Sequence, residues 1–185
     1  MLGLIGLGGL ATAMYSGLTW RTWNKKPDFT FLDHAKPLIK SLVEIIFPKM
    51  DTPGIGELNI HEFVIMMVKE SSEIKTQNKF IAGLTKLQDY VQSQFGKTFI
   101  TCSKDEQIQA VRYLQEDDKL FPGIVGKAQN KFLGKPFFTT LKEYTVLGYL
   151  SSQPGSIQVL RYNPIPGHYV SCEKIMQEEK AWATN

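Results

Sequence analysis

Phe80, Leu84, Leu87, Val91 and Phe95 recur at steps of four, three, four and four residues. That is the period of one face of an α-helix. The spacing predicts a helix from about Glu73 to Phe95, closed by Gly96, a residue suited to the left-handed turn that ends helices. A helix with one apolar stripe has to bury it, and the rest of the chain supplies further stripes of the same kind. Phe31 to Phe47 carries Leu38, Leu42, Ile45 and Ile46, with Asp33 as the expected cap, Pro37 tolerated in the first turn and Pro48 as the stop. Ile60, Phe63, Val64, Met67 and Val68 follow Asn59 and Glu62, which read as a capping pair. Ser103 and Glu106 form a capping box ahead of Ile108, Val111 and Leu114. That helix is expected to stop before Glu116, Asp117 and Asp118, because the helix dipole disfavours acids at its end.

A shorter helix is expected over Val125 to Phe132. A last one starts at Pro136, with Phe137, Leu141, Tyr144, Thr145 and Gly148 on one face. The expected fold is therefore all-α, an irregular bundle of about five to six helices with an apolar N-terminal segment and an extended C-terminal tail. The boundaries fall at 1–26 for the signal- or anchor-like segment, 27–151 for the helical domain and 152–185 for an irregular wrapping tail. Met50 to Gly56 reads as a turn-rich loop, and a short strand is expected at Ile157 to Tyr162.

The N-terminal segment has two readings. Met1 to Trp20 carries no charge, and Arg21, Lys25 and Lys26 follow at once. Such a run is long enough to span a bilayer, although Gly3, Gly6, Gly8, Gly9 and Gly17 weaken it as a helix. Ala11-Thr12-Ala13 fits the small-x-small pattern of a signal-peptidase site. A basic region ahead of the run is missing, which leaves a start codon placed too late or a retained anchor. The expectation is an exported protein, periplasmic or membrane-associated. Against it stands Gly6-Leu7-Gly8-Gly9-Leu10-Ala11, which matches the dinucleotide fingerprint G-x-G-x-x-A with Asp28 downstream. The fingerprint needs a strand on each side. Five residues precede Gly6, and the stretch from Trp20 to Pro27 does not read as a buried parallel strand.

The body offers little chemistry. The 185 residues carry a net charge of +3, from 21 Lys+Arg against 18 Asp+Glu. That balance gives no footprint for a nucleic-acid partner. His34, His61 and His168 are far apart in sequence, and His61-Glu62 lacks the second histidine of a helical zinc pair. Nucleophile elbow, P-loop and C-x-x-C motifs are absent. No catalytic, cofactor-binding or metal-binding residue is assigned. Cys102 and Cys172 leave two alternatives. They bridge, pinning the tail to the bundle at a gain of about 4 kcal/mol in the chain-entropy model, or they are two buried free thiols. Tyr162, Pro164, Pro166, His168 and Tyr169 form a segment rich in interface-type residues. They either contact a partner or cover the bundle's own core.

Three blocks taken together resemble the gluconate 2-dehydrogenase subunit 3 family. The first is Ile45-Ile46-Phe47-Pro48-Lys49-Met50-Asp51-Thr52-Pro53-Gly54-Ile55-Gly56, with Ile55 where alanine is usual. The second is Gly96-Lys97-Thr98-Phe99 followed by Cys102-Ser103 and the helix of Gln107. The third is Phe137-Phe138-Thr139-Thr140-Leu141-Lys142 with Thr145, Gly148-Tyr149, Ser152 and Gly155. Pro164-Ile165-Pro166-Gly167-His168-Tyr169 with Cys172 is similar to the family's tail. The resemblance implies a helical accessory subunit of a membrane-linked dehydrogenase that is not itself the catalyst. A separate large subunit would carry FAD and oxidise a sugar or sugar acid, and a cytochrome c subunit often takes the electrons. The small subunit would support assembly of the flavoprotein and in many cases supply its export signal, typically of the twin-arginine type. Here no Arg-Arg pair stands ahead of the apolar run. The alternative is a stand-alone exported helical interaction or anchor protein without a redox partner.

Overall fold

The computed structural model describes residues 24–48, 58–118, 134–160, 172, 180 and 181. The expected N-terminal segment, the Met50–Gly56 loop and the Val125–Phe132 helix lie outside them. The fold is all-helical, with no strand among the described residues. Helix α1 spans Phe29–His34, α2 Lys36–Ile46, α3 Ile60–Ser71, α4 Ile74–Phe95, α5 Lys104–Asp117 and α6 Phe137–Ser151. A single 3₁₀ turn at Phe99–Thr101 precedes α5, and a π-helical turn at Gly155–Val159 follows α6.

The first expected helix is divided in two at Ala35. Pro37 has no N–H to bond the carbonyl of Asp33, and its ring crowds that carbonyl, so it has to sit in the first turn of a new helix. The cap accordingly moves upstream. Asp28, not Asp33, accepts the Phe31 N–H at 3.1 Å. Asp33 instead takes both oxygens to the Lys69 ammonium of α3, at 2.9 and 3.0 Å. The expected Asn59–Glu62 pair also fails to form. Asn59 sits at φ 50°, outside the extended geometry of a capping side chain, and makes no side-chain cap bond. Its carbonyl accepts the Glu62 N–H at 2.9 Å instead.

The Ser103 box is present as read. Ser103 N–H donates to Glu106 Oε2 at 2.7 Å, and Glu106 N–H donates to Ser103 Oγ at 3.4 Å. Helix α5 does not stop before its acids but runs through Asp117. Tertiary partners compensate the unfavourable end. Asp117 meets the Lys86 ammonium of α4 at 2.5 Å. Asp118 accepts the Thr139 N–H at 2.8 Å, so it caps the start of α6 from another helix. The inward face of α5 is Gln107, Ala110 and Leu114, with Ile108 40% exposed. Gln107 fixes that rotation by donating from Nε2 to the Phe99 carbonyl at 2.9 Å.

Helix α6 is the centre of the bundle and packs against α2, α3, α4 and α5. It buries Phe137, Phe138, Thr140, Leu141, Thr145, Gly148 and Tyr149. Thr140 and Thr145 hide their hydroxyls by donating to carbonyls one turn back, at 2.8 and 2.7 Å. Two glycines set the approach of its neighbours. A Cβ on Gly83 of α4 would lie 2.1 Å from Cγ of Phe137, and one on Gly148 would lie 2.6 Å from Cδ1 of Phe63 on α3. The approach of the chain to α6 is held by α4. Thr76 Oγ1 accepts the Lys135 N–H at 3.1 Å, and the Lys79 ammonium donates to the Gly134 carbonyl at 3.0 Å. Gln77, 5% exposed, donates to the Val68 and Lys69 carbonyls at 3.1 and 2.9 Å, closing the end of α3.

Where a strand was expected at Ile157 to Tyr162, the described part of that stretch lies in and just after the π-helical turn. The chain reverses tightly on the end of α6. A Cβ on Gly155 would lie 1.9 Å from the Tyr149 carbonyl oxygen, an approach that needs glycine. Ser152 Oγ bridges the reversal, donating to the Tyr149 carbonyl at 2.6 Å and accepting the Gly155 N–H at 3.2 Å.

Gly83→Ala should force Phe137 or α4 to shift. The expected cost is about 1–3 kcal/mol, read as a fall of several degrees in the thermal transition. Burial pushes the Asp118 carboxyl above its usual value, against the backbone bonds from Thr139 and Phe138 that favour its charge. Its folded pKa therefore exceeds its unfolded one. The contribution of this group favours the fold at low pH and is lost as pH rises through the folded value. Melting curves from about pH 3 to about pH 6 should show wild type losing ground to Asp118→Asn as pH rises. Asp118→Ala, which also loses the cap, should be less stable than Asp118→Asn throughout that range by about 1 kcal/mol.

Candidate interaction surface

The partner-contact residues expected from sequence, Tyr162, Pro164, Pro166, His168 and Tyr169, lie outside the described residues. Cys102 and Cys172 are described and both are free. Cys102 is half-buried behind the 3₁₀ turn, and Cys172 is exposed. Burial and the nearby Glu106 carboxylate push the Cys102 thiol up, which keeps it protonated and a poor nucleophile.

His61 stands on the first turn of α3 beside Glu62. Burial holds its imidazole below the usual value, although the Glu62 and Glu44 carboxylates act the other way. Among the described residues no three His, Cys, Asp or Glu side chains gather as a metal-holding group. Two half-buried groups, Lys79 and Asp118, stand instead at the approach to α6. Burial pushes the Lys79 ammonium down, and the charge of Asp118 partly restores it. Both groups are tied to backbone through Gly134 and Thr139, so their work is structural.

Among the described residues we distinguish three surface features that can receive another molecule. The first is a cleft of about 310 Å³ between α1–α2 and α3, lined by Asp33, Lys36, Glu62, Ile65, Met66, Lys69 and Glu70. Within it Lys69 is held by Asp33 and lies 5.8 Å from the centre of the Phe29 ring. The second is an aromatic ridge joining α4 and α5. Tyr90 and Tyr113 stack at 4.0 Å with planes 6° apart, Phe95 meets Tyr90 edge-on at 6.3 Å, and Lys86 stands 5.5 Å over Tyr113. The third is a groove of about 390 Å³ on the outer side of α6, lined by Lys142, Glu143, Val146, Leu147 and Leu150. Leu147 is 46% exposed there.

The sequence reading missed this third feature. Its signal was present: α6 is apolar on the side opposite the Phe137–Leu141–Gly148 stripe as well as on it. A helix apolar all round either lies wholly in a core or offers its second face to something else. None of the three features pairs a nucleophile with a base. They are suited to recognition by contact. No helix among the described residues is long and apolar enough to cross a membrane.

The sequence matches the family model of gluconate 2-dehydrogenase subunit 3 over residues 33–167. The chain belongs to the gluconate 2-dehydrogenase subunit 3 family. The match runs from the last turn of α1 to beyond the π-helical turn, so the whole bundle around α6 is the family's domain. The family is a small subunit of a dehydrogenase complex, which makes association with other subunits its setting. No curated protein and no solved structure matches the chain.

The two faces of α6 separate cleanly by substitution. Leu141 is 0% exposed and Leu147 is 46% exposed. Leu141→Asp buries an unpaired carboxylate and should abolish the cooperative thermal transition, since the cost of several kcal/mol approaches the whole stability of a domain. Leu147→Asp should keep that transition within a few degrees of wild type.

Proposed function

We propose that this chain is the non-catalytic small subunit of a periplasmic or membrane-linked FAD-dependent dehydrogenase of the gluconate type, acting on a sugar or sugar acid. It assists assembly and export of the flavoprotein subunit, which carries the FAD, and a cytochrome c subunit takes the electrons onward. The observation that carries this reading is the family match over the whole helical bundle. Two things support it further. The surface features of the bundle are contact surfaces of the kind interfaces use, with aromatic and aliphatic side chains beside paired charges. The charge-free run from Met1 to Trp20 with basic residues behind it is of the export or anchor type.

The segment Tyr162–Tyr169 is the proposed contact with the flavoprotein. Pro164 and Pro166 restrict its backbone, so docking costs less entropy. Tyrosines offer broad apolar faces with polar tips.

The tagged full chain, co-expressed with a candidate flavoprotein subunit, should bring down a yellow partner. The chain purified alone should show no flavin or haem spectrum and no sugar oxidation. Tyr162→Ser with Tyr169→Ser should weaken the pull-down while the melting temperature of the chain holds. A flavoprotein that assembles, is exported and turns over equally well without this chain would overturn the reading. In that case the stand-alone anchor alternative takes its place.

A further inference from the structure

The start of α4 gathers lysines from two separate stretches of chain. Asn78, about one turn into the helix, donates from Nδ2 to the Lys25 carbonyl at 2.8 Å. Ile74 and Lys75 lie four and three residues before Asn78, on the same face of α4. Lys25 and Lys26 are exposed and Lys75 is half-buried. None of the three enters an ion pair among the described residues. Beside them Ile74 is 49% exposed. Two acids stand near, Asp28 and Glu73. Asp28 is engaged with the Phe31 N–H as the cap of α1, and Glu73 is the residue before α4.

The chain enters the bundle at this face, and its length up to that point decides what the face meets. Lys25 is five residues past Trp20, where the charge-free run ends. Five residues reach at most about 18 Å when fully extended. The headgroup layer on one side of a bilayer takes up roughly 5–7 Å. With the run from Met1 in a bilayer, the Lys25 carbonyl can stand no further than about 12 Å beyond the headgroups. That is close to one Debye length at moderate salt. Asn78 fixes this carbonyl to α4, so the limit applies to the bundle itself and not to a loose linker. An anionic headgroup surface suits what the face presents. Lysine stems lie along apolar surface while their ammoniums reach outward, and such a surface attracts lysines over this range.

We propose that the face formed by Lys25, Lys26, Ile74 and Lys75 docks on an anionic bilayer surface, with the three ammoniums among headgroup phosphates and Ile74 at the interface. The proposal rests on the anchor reading of Met1 to Trp20 and adds an orientation to it. Helix α4 begins at the membrane and its Gly96 end stands away from it. With 22 residues α4 is about 33 Å long. Lys104, which opens α5 beyond the 3₁₀ turn that follows Gly96, is then clear of the lipid.

Acetylation of the full chain by an amine-reactive reagent, read lysine by lysine by mass spectrometry, tests it. The chain is compared in detergent micelles, in phosphatidylcholine vesicles and in phosphatidylcholine vesicles containing phosphatidylglycerol. In the anionic vesicles Lys25, Lys26 and Lys75 should react about five-fold more slowly than in micelles, and high salt should restore most of the rate. Lys104 should react at one rate in all three. Ile74→Ser with Lys75→Glu should return Lys25 and Lys26 to the micelle rate in anionic vesicles while the melting temperature stays within a few degrees. A chain that floats with the vesicles while its three lysines react as in micelles would overturn the docking and leave the anchor reading standing. A chain that does not float with vesicles would overturn both, and the pull-down of a yellow partner reports separately on the accessory-subunit reading. Equal protection in phosphatidylcholine alone would overturn recognition of anionic lipid. Protection that arises only on adding the flavoprotein subunit would assign the face to that partner instead.

Discussion

Close packing of α3 and α4 onto α6 is the constraint from which the rest of the bundle follows. Phe137 occupies the space a side chain at position 83 would need, and Phe63 occupies the space of one at position 148. These notches let aromatic rings lie against helix backbone, and Phe80 then meets Phe137 edge-on at 5.0 Å. With α6 fixed in this way, Leu84, Leu87 and Val91 on α4 and Val64 and Val68 on α3 all reach zero exposure. Interiors this dense respond to a single added methyl group, because neighbours have nowhere to move.

Polar groups are placed where helices begin and end, which is where a helical bundle leaves backbone unsatisfied. Gln77 takes two carbonyls at the end of α3, Gln107 takes the carbonyl of Phe99, and Asp118 takes an N–H at the start of α6. Each of these side chains belongs to a different helix or turn from the group it satisfies. The ends of the helices are therefore tied by the same contacts that orient the helices. Tyr149 is the exception. It is 1% exposed, its ring lies 5.0 Å from that of Phe47, and its hydroxyl has no hydrogen-bond partner among the described residues.

The molecular surface divides by chemistry. Some solvent-facing charges are paired: Asp33–Lys69 and Lys86–Asp117 join different helices, and Lys97–Glu106 and Lys135–Glu143 close shorter spans of chain. Exposed pairs of this kind add little stability. The apolar groove on α6 and the stacked tyrosines of α4 and α5 remain as places where contact would bury surface. That division suits a subunit whose work is association, in a family that is one component of a dehydrogenase complex.

Sequence periodicity was enough to determine that this chain is helical, where its long helix lies, and which stripe of α4 and α6 faces inward. Phe80, Leu84, Leu87, Val91, Leu141, Thr145 and Gly148 are all buried as their spacing requires. Local chemistry with a short reach was equally legible: the Ser103 box and the Gly96 stop involve residues within one turn of each other. Their order along the chain also sufficed for the family. What the sequence could not determine were contacts between residues far apart in the chain. Asp33 left its cap for Lys69, Asp118 turned an unfavourable helix end into a cap for α6, and Gln107 rotated α5 so that Ile108 faces outward. A local rule predicts what a residue can do for its own helix. Only the tertiary structure decides when a partner on another helix offers a stronger bond, because that offer depends on distances the sequence does not contain.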